Sequence, residues 1–229
     1  MRQRWECLTF LHWAYPIDVV ARQLPHGLDL DPWDGQAWVG LVPFRMHVQL
    51  PAGSGRHVVP PFPETNVRTY VRGPGGRPGV WFFSLEAASP SAVHVARAAY
   101  NLPYYRAGMS IDETGDSVRY RSRRLSPGPH GAGHDIEVVP GDALPVETRT
   151  AFDNYLTARY TLWNSNRGLM THTQAEHPPW PLHTATVRAL TQNLLETAGL
   201  PTPTDPPIAH FSPGVDVRLA APRPHRSAA

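Results

Sequence analysis

Turn chemistry constrains this chain more than any other feature. Asp34-Gly35 sits between two alternating stretches, "GPGGRPG" (73–79) separates a second pair, and Thr114 to Asp116 separates a third. Turn positions with positive φ are cheap for Gly, Asn and Asp, so such residues between alternating segments mark hairpins. The strands read as 5–13, a pair around Asp34-Gly35, 62–71, 80–87, a pair within 104–124, a short one at 134–139, and a closing strand or strand pair within 208–222. Helical spacing is confined to a short stretch after Tyr15, with Asp18 near its start, to 89–101 behind an N-cap-like Ser89, and to 144–163. In 177–201 the alternation His183, Ala185, Val187, Ala189 admits a strand, and a helix is equally open. Residues 51–63 read as a Pro/Gly-rich loop and 221–229 as a disordered tail. No repeat or linker divides the rest, so residues 1–220 are expected to form a single domain. Many hairpins with few helices predict a mainly β, α+β fold: one antiparallel barrel or strongly curved sheet with helices packed around it.

Composition narrows the function classes. The chain has 41% apolar residues, enough for a core, and no run approaching the roughly eighteen apolar residues of a membrane span. "MRQRWECLTF" lacks the apolar stretch of a secretory signal, so the expectation is a soluble cytoplasmic protein. Net charge is only +2, and the one basic cluster, Arg119, Arg121, Arg123 and Arg124, reads as a solvated strand edge; no nucleic-acid partner is expected. Cys7 is the only cysteine, which rules out an internal disulfide and a thiolate metal cage, and it reads as a small buried hydrophobe. The pairs His172/His177 and His130/His134 match no metal motif, and Ser84 and Ser212 lack a nucleophile-elbow context, so neither a metal, a cofactor nor a serine triad is expected. The chain contains no lysine. Lysine Schiff-base catalysis and a P-loop lysine are therefore excluded.

The stretch "FPETNVRTYV" (62–71) reads as a strand whose polar face needs explaining. Glu64, Asn66, Arg68 and Tyr70 share one face, and Thr65, Val67, Thr69 and Val71 the other. With a turn centred near Gly76, Asn66 falls opposite Glu86, Arg68 opposite Ser84 and Tyr70 opposite Phe82; a one-residue shift brings Trp81, Phe83 and Leu85 there instead. If the polar face points inward, Glu64, Arg68 and Glu86 form a charge-paired cluster, because isolated buried charges are costly. Arg68 then either grips a substrate carboxylate or only holds the two glutamates, and a carboxyl in an apolar pocket can serve as general acid or base. Tyr104, Tyr105 and Arg106 are candidate donors at the mouth. In "HPPWPL" the prolines fix His177, a candidate proton shuttle, beside Trp180 as an aromatic wall. His210 alternates with Ser212 and completes the set. For each of these the competing reading is structural: an internal ion-pair network, or histidines satisfied in the core.

Seven segments in order, "WVGLVPFRM" (38–46), "FPETNVRTYV", "GVWFFSLEA" (79–87), "LPYYRAGMS" (102–110), "VRYRSRR" (118–124), "HPPWPL" (177–182) and "HFSPGVDV" (210–217), resemble the YqjF-like domain-of-unknown-function family. The resemblance implies the acetoacetate-decarboxylase-like superfamily, and with it a cone-shaped antiparallel barrel closed around a small-molecule pocket. Acetoacetate decarboxylase itself works through a lysine, which this chain lacks. The functional expectation is a small-molecule enzyme using general acid/base chemistry, of lyase, dehydratase or cyclase type, on a carbonyl or carboxylate substrate, in secondary metabolism. The alternative is a non-catalytic binding protein with the same pocket. The partner is a small organic ligand, with homo-oligomerisation left open.

Overall fold

The computed structural model describes residues 1–49, 58–166 and 169–225. The elements in chain order are β1 (Arg2–Tyr15), α1 (Ile17–Ala21), β2 (Asp29–Leu30), β3 (Ala37–Gln49), β4 (Val58–Gly73), β5 (Arg77–Ala87) and α2 (Pro90–Tyr100). There follow β6 (Tyr104–Thr114), β7 (Ser117–Ser126), β8 (Gly133–Leu144), α3 (Ala151–Thr157), β9 (Thr161–Asn166) and β10 (Leu169–Glu176). β11 (Leu182–Gln192), α4 (Leu194–Thr197), β12 (Ile208–Leu219) and β13 (Arg223–Pro224) complete the chain. The fold is mainly β with few helices. Among the described residues no helix is long and apolar enough to cross a membrane.

All thirteen described strands belong to one hydrogen-bonded network. The order β5-β6-β7-β8-β11-β12-β1-β3-β4 returns to β5 through the β4–β5 pairing, and β9 and β10 link β5 to β12 by a second route. Two closed circuits of strands thus share the wall β12-β1-β3-β4-β5. A separate core fills each circuit. Leu8, Phe10, Val42, Phe44, Phe82 and Trp180 belong to the first. Leu11, Val39, Leu41, Val67, Tyr120 and Ile136 belong to the second. Alternation along β1 and β3 delivers successive side chains to the two cores in turn, which is why these strands read as nearly continuous apolar runs.

The β4–β5 hairpin departs from the expected register. Its turn, Pro74–Gly76, centres on Gly75 at φ +75°, so Gly73 pairs with Arg77 and Tyr70 with Val80. A bulge then sets Arg68 against Phe82 but Val67 against Ser84, Asn66 against Leu85 and Thr65 against Glu86. One extra residue in β5 flips the side chains beyond it. Ser84 and Glu86 therefore leave the face of Glu64, Asn66 and Arg68 and enter the second core. Glu86 meets Arg124 there, with Nη2–Oε1 2.5 Å and Nε–Oε2 3.0 Å, both side chains 1% exposed or less. The Tyr105 ring lies 3.6 Å from the Arg124 guanidinium, and Thr65 hydrogen-bonds His134 at 2.8 Å. Burial lowers the His134 pKa to about 4, so this imidazole is neutral. The expected solvated arginine edge is corrected at one position. Val118, Tyr120, Ser122 and Arg124 alternate inward on β7, whereas Arg121 and Arg123 are exposed.

Other expectations changed for local reasons. β4 begins at Val58, inside the expected loop, whose residues 51–57 lie outside the described set. The expected helix at 144–163 contracts to α3, because a Thr150/Asp153 capping box starts it and Ala158 leaves helical geometry. Its last residues become β9, which runs parallel to β5. Arg223–Pro224 pairs with β10 in the segment read as a tail, and residues 226–229 lie outside the described set.

The Glu86–Arg124 pair is bidentate and fully enclosed, so removing one partner strands a buried charge. Arg124→Met is expected to lower unfolding free energy by about 3–5 kcal/mol, while Glu86→Leu combined with Arg124→Met recovers most of that loss in urea titrations. Equal destabilisation by the single and double variants would show that packing, not charge, matters at this site.

Candidate functional site

β4 stands in the shared wall, so both its faces are buried. Thr65, Val67 and Thr69 face away from the first core with no exposed surface, while Glu64, Asn66, Arg68 and Tyr70 turn toward it and are likewise buried. The polar face meets two adjoining cavities. An inner chamber of about 80 Å³ is lined by Asn66 and Arg68 among Phe10, Phe82, Leu85 and Trp180. An outer cavity of about 360 Å³ is bounded by α2, β3, β9 and the start of β4. Glu64 and Tyr104 belong to both linings and mark the junction.

Glu64 has no cationic partner within 4.0 Å among the described residues. Its neighbour is the Tyr104 hydroxyl, 3.1 Å from each carboxylate oxygen. Burial pushes the Glu64 pKa up to about 8 against the opposing Tyr104 hydrogen bond, so the carboxyl holds a proton at neutral pH. Burial also raises the Tyr104 pKa, with Glu64 adding to it, which keeps the phenol a donor.

Arg68 is always charged, yet no carboxylate among the described residues lies within 4.0 Å of it. Nη2 donates to the Leu156 carbonyl at 3.2 Å, Nε has no partner, and the guanidinium sits 5.5 Å from the Phe10 ring centre. The Asn66 Oδ1 beside it is also unpartnered. Arg159, the other guanidinium in the chamber wall, lies 2.8 Å from Asp31, a carboxylate it shares with Arg72 at 2.9 Å. The chamber wall thus includes a guanidinium, Arg68, with no carboxylate partner among the described residues, set beside Asn66 in an aromatic enclosure.

The last turn of α3 positions these groups. The Leu156 carbonyl accepts from Arg68 and, at 2.5 Å, from the Tyr70 hydroxyl. The Thr157 carbonyl accepts from Trp180 Nε1 at 3.0 Å, and the Tyr155 carbonyl from Arg159 Nε at 3.2 Å. Final-turn carbonyls have no intrahelical donor, so they are free to take these bonds. His12 Nε2 lies 2.7 Å from the Tyr70 oxygen. With Tyr70 donating to Leu156, the neutral His12 donates to Tyr70, a tautomer that follows from this network. Burial, helped by Arg68, holds the His12 pKa well below its usual value.

The sequence-derived candidates thus separate into groups. Glu64, Asn66, Arg68, Tyr104 and Trp180 line the cavities. Tyr70 stands behind Arg68, and His210 lies 3.1 Å from Asp153, bracing the start of α3. Glu86, Ser84 and Tyr105 belong to the second core or its edge, and Arg106 is exposed. His177 is half-buried, with Nδ1 2.7 Å from the Pro178 oxygen and its ring against Trp180 at 4.5 Å; it belongs to neither cavity lining. The sequence reading missed Arg159, His12 and the α3 carbonyls. His12 had one available signal, its alternation with Phe10 on β1. Among the described residues no three His, Cys, Asp or Glu side chains converge as metal ligands.

Comparison with known proteins places this geometry in context. The DUF2071 family, an uncharacterized conserved protein family, matches residues 2–216. The uncharacterized protein YqjF of Bacillus subtilis (strain 168) is 32% identical over 221 residues, covering 95% of this chain and 89% of that protein. Among solved structures, an acetoacetate decarboxylase from Legionella pneumophila superposes with a TM-score of 0.67 at 14% identity, over 99% of this chain and 88% of that one. An acetoacetate decarboxylase-like enzyme from Sphingomonas wittichii RW1 gives 0.65 at 11% identity, over 99% and 93%. The enduracididine biosynthesis enzyme MppR, complexed with the condensation product of pyruvate and imidazole 4-carboxaldehyde, gives 0.65 at 12% identity, over 97% and 88%. At these identities the structural likeness establishes the fold alone. The chain belongs to the DUF2071 family of YqjF-like proteins and has an acetoacetate-decarboxylase-like fold.

Proposed function

We propose that this protein is a small-molecule enzyme that uses Arg68 to hold the carboxylate of an oxo or hydroxy acid and Glu64 as its general acid. The observation that carries this reading is the pairing of an uncompensated buried guanidinium with a protonated carboxyl lining the same chamber. A buried charge without a counter-charge is costly unless a ligand supplies one. A self-satisfied polar cluster would favour a purely binding protein, but Arg68 Nε and Asn66 Oδ1 lack partners. Pyruvate, an oxo acid, occupies MppR in another complex of that fold relative, which agrees with the proposed substrate chemistry.

The arrangement favours dehydration or cyclisation over loss of the bound carboxylate. Arg68 stabilises the charge that decarboxylation would have to disperse, so it opposes that step. In a dehydration, Glu64 gives its proton to a departing hydroxyl, which leaves as water. The carboxylate so formed takes the proton released from the neighbouring carbon, and Glu64 returns to its starting state. No lysine is needed, and none is present. The proposed setting is cytoplasmic secondary metabolism.

Two outcomes check this reading. Wild type incubated with a metabolite extract should retain small organic acids and convert some of them, as followed by mass spectrometry. Arg68→Ala should lose the retained acids, whereas Glu64→Gln should keep them and lose turnover by about 10²–10⁴-fold. Folded variants that retain and convert the same compounds as wild type would refute the assignment.

The second outcome concerns pH. An unfolded glutamate releases its proton near its ordinary value of 4.5, and folded Glu64 near 8. Between those values the native state binds more protons, so its stability falls as pH rises. Glu64→Gln lacks this loss. Its unfolding free energy relative to wild type should rise between these two values, by on the order of 5 kcal/mol, and then level off. A gap independent of pH would mean that Glu64 is ionised at neutral pH.

A further inference from the structure

The outer cavity has a chemistry of its own. Met46, Val48, Phe62, Leu102, Leu162 and Leu219 dominate its wall, and among the described residues Glu64 is the one acidic or basic side chain in the lining. α2 closes one side with Ala92, Val95 and Ala96. The helix is a fixed wall. Ser89 caps its start by accepting from the Ala92 amide, Arg97 Nη1 donates to the Tyr104 carbonyl at 2.8 Å, and Asn101 Nδ2 donates to the Ser165 carbonyl at 2.7 Å. At about 30 Å³ per non-hydrogen atom, the outer cavity holds on the order of ten such atoms.

We propose that the ligand is a monocarboxylic acid with an extended apolar tail, its carboxylate on Arg68 in the inner chamber and its tail in the outer cavity, with α2 setting the tail length. This rests on Arg68 being the anion anchor, as argued above. The lining also holds Gln3, Ser91, Asn164 and Thr173, but these are neutral and the wall is mainly apolar, so a second charge on the tail would lose its water without a charged side chain to meet it. Because Glu64 holds its proton at neutral pH, a hydrocarbon chain passes the junction without stripping water from a carboxylate. Ala92 and Ala96 are small residues on the wall that bounds the tail, so they are the positions that determine specificity for length.

The test is isothermal titration of the full chain at neutral pH with straight-chain acids from acetate through decanoate and with the primary alcohols of matching length. In wild type, each methylene should tighten binding about fourfold in both series until the cavity is filled. Ala96→Trp should bring the levelling-off to shorter chains, and Ala92→Leu should do so by a smaller step. A flat series, or a plateau that neither variant moves, overturns the inference while leaving the Arg68 anchor standing if acids outbind alcohols and Arg68→Met erases that advantage. Acids binding no better than the matched alcohols would instead refute the anchor, and with it the identification of the ligand as an acid, even if the methylene slope persists.

Discussion

The C-terminal turn of α3 is the contact on which the site depends. Burying a guanidinium needs compensating negative potential, and a carboxylate is the usual source. For Arg68 that role falls to the Leu156 carbonyl at the end of a helix. A helix terminus supplies partial negative charge without a formal counter-ion. The guanidinium is thereby held in position but not neutralised. The same turn fixes Tyr70, Trp180 and Arg159 through its other carbonyls, so one short helix orients a large part of the chamber wall.

The second core provides an internal control. There the same residue types, Glu86 and Arg124, meet in a bidentate pair that closes on itself under Tyr105. Nothing remains to bind a ligand. In the first core Glu64 and Arg68 stand four residues apart on one strand face, with Asn66 between them, and make no ion pair. Glu64 keeps its proton and Arg68 keeps its charge. The difference between a closed brace and a chamber with an unpaired guanidinium is therefore one of pairing, and the β4–β5 bulge makes it by sending Glu86 to the other side of the wall.

Much of this was legible in the sequence, for identifiable reasons. The β4–β5 and β6–β7 hairpins followed from the 73–79 turn and Gly115, and the start of α2 from Ser89; the hairpin expected at Asp34-Gly35 did not form, because only an isolated Trp33–Gln36 bridge spans that turn and β2 pairs with β4 instead of β3. The shared face of Glu64, Asn66 and Arg68 followed from strict alternation, but its inward direction did not, because alternation is the same whichever way the face points. The bulge was not legible, because it falls at Phe82-Phe83-Ser84, where no glycine or proline marks it. Arg124 was misjudged within an arginine-rich run, although its alternation with Val118, Tyr120 and Ser122 was a usable signal. The helix at 144–163 was overextended because β9 pairs in parallel with a distant strand, and such pairing leaves no local turn signature. The α3 carbonyls could not be found at all, since a backbone acceptor has no sequence identity.

The central claim is that Arg68 is a buried cation reserved for an anionic ligand. A crystal structure of the protein soaked with hexanoate tests it most directly. The account predicts the carboxylate within hydrogen-bond distance of the Arg68 guanidinium, with Glu64 uninvolved in any ion pair and the chain directed toward α2. A carboxylate bound elsewhere, or Arg68 found paired with Glu64 and closed to the ligand, would contradict it.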